Sequence, residues 1–120
     1  MAGLFEILDQ IKARPGMYLG NPSVENLFMF LVGYKTARRE LGIEPTEEEL
    51  KFYGDFQPWL QEKFNIRTNN SWAALIQFHS VNQKEAFDRF FHLLDEFHQV
   101  NQPENYNSPI PNESEKLKIS

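Results

Sequence analysis

Phe87-Asp88-Arg89-Phe90-Phe91-His92-Leu93-Leu94-Asp95-Glu96-Phe97 decides how this chain is read. Phe87, Phe90, Phe91, Leu94 and Phe97 recur at the i, i+3, i+4, i+7 spacing that lines one face of an α-helix. Lys84, Asp88, Asp95 and Glu96 fall on the opposite face. Asn82 with Glu85 three residues later marks a helix start, so the pattern predicts a helix from about 82 to about 99. A stripe of rings at this spacing is core, and it needs other apolar helix faces to cover it.

Upstream segments supply those faces. Ser71 or Asn70 caps a segment in which Trp72, Leu75, Ile76 and His79 share a face. Residues 73–78 also read as a short buried strand, since brief apolar runs are ambiguous. The cap and the want of a partner strand favour helix. Before it, 65–70 reads as a polar loop. Phe56, Trp59, Leu60 and Phe64 have helical spacing, with Asp55 as a cap and Pro58 tolerated in a first turn. Thr46 and Glu49 have capping-box spacing and start a short helix to about Tyr53, which Gly54 is expected to break.

Farther upstream, Ser23 is a cap for a long helix to about Leu41, with Glu25 in its first turn. Its stripe is Leu27, Phe30, Leu31, Tyr34 and Leu41, widened by Phe28 and Val32. Gly33 costs about 1 kcal/mol there relative to alanine, and a close helix crossing over its bare surface would explain it. Lys35, Arg38, Arg39 and Glu40 read as the solvated end, and Gly42 as the stop. The first helix spans roughly Gly3 to Lys12, burying Leu4, Ile7, Leu8 and Ile11.

Between those two helices lies Arg14-Pro15-Gly16-Met17-Tyr18-Leu19-Gly20. Pro15 drives Arg14 out of helical angles, Gly16 permits a positive φ, and Pro-Gly reads as a turn. Met17, Tyr18 and Leu19 are expected to fold back as an apolar plug with the Tyr18 hydroxyl at its rim. The segment is either a rigid connector or a place where Arg14 and Tyr18 meet a partner.

An almost identical Arg-Pro-Gly-Met-Tyr-hydrophobic-Gly string resembles one in the ATPase subunits of type II DNA topoisomerases, the gyrase B type. There the next helix carries a Glu…Asp-Asn series for magnesium and ATP. Here it reads Val24-Glu25-Asn26-Leu27-Phe28, and no Asp-x-Gly-x-Gly loop follows, so the likeness is a shared turn and ATP binding is not expected. A longer resemblance, over about 4 to 98, is to a family of short bacterial proteins. Its elements here are Ile11 to Gly20, Ser23 to Leu27, Phe30 to Tyr34, Phe56 to Trp59, Ser71-Trp72 and Ala86 to Glu96. That resemblance implies a small accessory domain, with toxin immunity among its roles, and brings no catalytic residues.

Composition narrows the function classes. The 120 residues include eleven Phe and 41% hydrophobic side chains, which argues against global disorder. A formal charge of −5 disfavours a dedicated nucleic-acid binder. The lack of cysteine removes disulfides, thiolate metal sites and a thiol nucleophile. The start reads as no signal peptide and no run approaches the ~20 residues of a membrane span, so the expected location is cytoplasmic.

Few constellations carry chemistry. Asp88, His92, Asp95 and Glu96 lie at spacings that place an imidazole and carboxylates on one helix face, as a small metal-dependent or acid–base enzyme would use. The plainer reading is a solvated face opposite the Phe stripe. His79 and His98 are isolated, and no nucleophile elbow or phosphate loop occurs. Lys12 and Arg14 join Lys35, Arg38 and Arg39 in a basic patch only if the first two long helices form an antiparallel hairpin.

The expectation is therefore an all-α single domain of about five helices over residues 1–100, with a disordered tail at 101–120 rich in Asn, Pro, Ser and Glu. The expected function is a non-enzymatic protein-binding or inhibitory module, its partner contacts at Arg14, Tyr18, Arg38 and Arg39, with no cofactor or metal site. Self-association through a leftover aromatic patch is a third reading. Trp59 and Trp72 are expected to anchor the core.

Overall fold

A computed structural model describes residues 3–101, and the tail expected at 101–120 lies beyond it except for Asn101. Six helices occur among the described residues and no strand: α1 (Leu4–Ala13), α2 (Pro15–Leu19), α3 (Val24–Glu40), α4 (Glu47–Phe64), α5 (Trp72–Phe78) and α6 (Gln83–Val100). The all-α class holds.

The starts follow from local capping. The Ser23 hydroxyl accepts from the Asn26 amide, Ser71 from Ala74, and the Asn82 side chain from Glu85. Thr46 and Glu49 complete a reciprocal capping box on α4. The ambiguous 73–78 run is helical, as its cap requires.

Three elements differ from the pattern reading. Arg14–Gly20 is a one-turn helix rather than a Pro-Gly turn. Pro15 is pre-set for the first helical position, and Arg14 keeps a non-helical φ of −139° as the joint between α1 and α2. The positive φ falls on Gly20, at 78°, not on Gly16. No plug forms either: Met17 is 71% exposed, while Tyr18 and Leu19 pack only partly against the core.

Second, α4 runs unbroken through Gly54 and Pro58. Pro58 sits in the helix interior and removes its bond to the Gly54 carbonyl, but both residues are on the exposed face, where the freed acceptor is not buried away from solvent. Third, no helix crosses Gly33. A Cβ built there meets nothing within 4 Å. Gly33→Ala should therefore stabilise the protein by about 0.5–1 kcal/mol in chemical denaturation, and a loss of stability would reinstate the close crossing.

The helices bury one core. α6 contributes Ala86, Phe87, Phe90, Phe91, Leu93, Leu94 and Phe97, and α3, α5 and α4 close around it. Phe56 is the centre of a ring cluster, with centroids at 5.0 Å to Phe52, 5.4 Å to Phe97, and 5.8 Å to both Phe90 and Trp72. Trp59 and Trp72 are half-buried, each with a face in this cluster. At the other end of the bundle, Gln83 accepts from the Ser23 hydroxyl and the Glu25 amide, tying the start of α3 to α6.

The end of α3 is where the stripe departs from expectation. Leu41 is 66% exposed, and Arg38, one turn after Tyr34, is buried in its place at 8%. That exchange builds the site.

Candidate functional site

Glu49 is the keystone of the region. It is 2% exposed, and its carboxylate accepts from three elements. Oε1 takes the Thr46 amide at 2.9 Å, closing the capping box of α4. Oε2 takes the Leu4 amide at 2.9 Å, satisfying a free donor at the start of α1, and an Arg38 guanidinium nitrogen at 2.9 Å from α3. Burial pushes the Glu49 carboxyl up, but the Arg38 bond and the Leu4 and Thr46 amides outweigh it and hold the group below its ordinary value.

Beside this buried pair, α3, the 42–45 turn and α4 enclose a groove. Its deeper part is a cavity of about 320 Å³ lined by Lys35, Arg38, Arg39, Ile43, Leu50 and Tyr53. A smaller apolar cleft of about 190 Å³ adjoins it, walled by Phe28, Val32, Phe52 and Trp72. Lys35 and Tyr53 line both, with the ammonium 4.3 Å from the ring centroid, so this cation–π pair stands at their boundary. The rim of the deeper part is a tight stop. Gly42, at φ 74°, takes the left-handed position after α3, while Ile43 donates to the Arg38 carbonyl and Gly42 to that of Arg39.

Unspent polarity concentrates here. The Tyr34 hydroxyl and the Arg38 Nε are both buried without a hydrogen-bond partner, and the Arg38 guanidinium lies 5.5 Å from the Tyr34 ring centre. Burial raises the Tyr34 and Tyr53 phenols above their ordinary value, and Glu49 adds to the rise in both, so each remains a donor at neutral pH. A larger depression of about 740 Å³ borders the 65–69 loop, but its polar side chains hold that loop: Gln61 donates to the Thr68 carbonyl at 2.9 Å.

The four expected contact residues separate into two places. Arg14 is exposed at the α1–α2 joint, and the Tyr18 hydroxyl donates to Gln10 at 2.9 Å. Arg39 is exposed at the groove, whereas Arg38 is covered and bound to Glu49, supporting the groove from beneath. A ladder of rings, Tyr18 to Phe30 at 6.1 Å and Phe30 to Tyr34 at 6.4 Å, runs along α3 between the two places. The five-residue basic patch does not assemble. It is the start of α1 that reaches Arg38 through Glu49, and Lys12, at the far end, lies 5.6 Å from the Phe91 ring centre.

Among the described residues, no three His, Cys, Asp or Glu side chains gather as a metal site. On the exposed face of α6, Asp88 pairs with Lys84 at 2.7 Å and Glu96 with Lys63 at 3.0 Å. Those carboxylates are engaged as surface ion pairs. Sequence reasoning missed Ile43 and the wider role of Glu49; its spacing placed Leu50 and Phe52 or Tyr53 inward, whereas Phe52 is buried, Tyr53 half-buried and Leu50 is 54% exposed at the groove. A charge at a stripe position, Arg38, was the available signal.

The class these features define, over the described residues, is a six-helix bundle with a basic, ring-lined groove and a buried ion pair beneath it. No known family matches the chain, and neither the curated proteins nor the solved structures hold a match to it. No helix among the described residues is long and apolar enough to cross a membrane.

Proposed function

We propose that this protein is a non-catalytic binding module that works by docking on a partner protein, with toxin-immunity-type inhibition as the role its sequence resemblance points to. The observation that carries this reading is the α3–α4 groove. There two exposed cations, Lys35 and Arg39, two half-buried apolar walls and a buried arginine with a spare donor converge. Elsewhere, the Ser and Asn side chains that could suggest chemistry are spent on helix caps. An inhibitory module needs only to cover its partner's working surface, and groove geometry suffices for that.

The test is comparative capture. Tagged wild-type protein should retain one stoichiometric partner from its native lysate, and a Lys35→Glu/Arg39→Glu variant with unchanged melting temperature should lose it. Equal retention by both proteins moves the contact surface away from the groove. A bait that holds nothing removes the binding-module reading.

A further inference from the structure

We infer that the groove takes a short acidic–apolar segment of a partner polypeptide, one carboxylate seated between Lys35 and Arg39 and one apolar side chain in the neighbouring cleft. This rests on the binding-module reading and adds the chemistry of the occupant.

Charge complementarity carries the first half. Lys35, Arg38 and Arg39 line the deeper cavity against a single lining carboxylate, Glu44. Glu49 neutralises Arg38 from below, which leaves Lys35 and Arg39 as the cations facing an incoming group. Arg38 is more than nine-tenths buried, lines the cavity and keeps Nε without an acceptor. The exposed Lys35 and Arg39 on the lining therefore call for a ligand group that is an anion and also accepts hydrogen bonds.

Which anion follows from the surroundings. The whole chain carries −5, and Glu40, Glu47 and Glu48 are exposed on α3 and α4, the helices that line the groove. A polyanion such as a nucleic acid would meet that field unfavourably, whereas one carboxylate fits between two cations. The apolar half fixes the remainder. Phe28, Val32 and Trp72 wall a cleft that begins where Lys35 and Tyr53 end the basic one. Val32 and Arg39 are seven residues apart on α3, a rise of about 10 Å. An extended peptide covers that distance in about three residues, so the fitting segment has an Asp or Glu with a large apolar residue about three positions away.

The experiment is selection from a displayed library of random peptides against the full chain, followed by titration of synthetic versions of the enriched sequences. Enriched peptides should share one acidic residue and one apolar residue near that spacing. They should bind at least tenfold more weakly to Lys35→Glu/Arg39→Glu, and more weakly as salt rises. Val32→Asn, which adds no charge, should weaken them as much while leaving the salt dependence in place, which a merely unfolded variant would not do. Enriched peptides that are neutral or basic, or indifferent to the double change, overturn this inference and leave the binding-module reading standing. A library that yields no binder overturns the inference too, and the lysate capture then decides the reading beneath it. Sedimentation showing a dimer that Arg39→Glu dissolves would assign the groove to a second copy of this chain and overturn the peptide occupant.

Discussion

Glu49→Ala should destabilise the protein by about 3–5 kcal/mol, because it strands a buried guanidinium. Arg38 would be left in the interior without its carboxylate partner, and its Nε already lacks one. The Leu4 and Thr46 amides would lose their acceptor at the same time, loosening the starts of α1 and α4. Urea denaturation with a common m-value measures the loss. A cost under about 1 kcal/mol would place the pair in the weak class of solvated surface bridges.

The same carboxylate makes a pH prediction. Its pKa is depressed in the folded protein, so its contribution is fully present above the ordinary carboxylate value and is lost as pH falls through the depressed one. The advantage of wild type over Glu49→Ala should therefore shrink as pH falls below the ordinary carboxylate value of 4.5. Replacing both members, as Arg38→Met/Glu49→Leu, should recover the part of the loss that comes from the stranded charge, while the Leu4 and Thr46 amides stay without their acceptor.

Phe56→Ala should cost a comparable ~3–5 kcal/mol for a different reason. Phe56 is fully buried at the centre of the ring cluster and meets neighbours from α4, α5 and α6. Truncation opens a cavity walled by rigid rings, which relax poorly into it. The exposed Phe78, at 78%, is the internal control: its change to alanine should shift stability by less than about 0.5 kcal/mol. Similar losses at both positions would mean the ring cluster is looser than its geometry implies.

How far each feature was legible depends on the range of the interaction behind it. Ser23, Thr46, Ser71 and Asn82 bond to amides three residues away, so their roles are written in adjacent sequence. The buried face of α6 is equally local, since its rings recur at the helical period. Pro15 and Gly54 misled because each residue has two uses. Proline starts helices as readily as it makes turns, and glycine on an exposed face need not stop one. Pro58 was read correctly as tolerated, but α4 carries it in its interior rather than its first turn.

By itself, then, the chain determined its class, its caps and most of its core, all of which rest on spacing within single helices. Only the tertiary structure decided which charge goes inside. Arg38 and Glu49 lie eleven residues apart on different helices, and no periodicity relates them. Their burial becomes tolerable only when the start of α1 arrives to donate the Leu4 amide to the same carboxylate. The groove likewise is lined by α3, the 42–45 turn and α4 together, so it is a property of packed helices, not of either one alone.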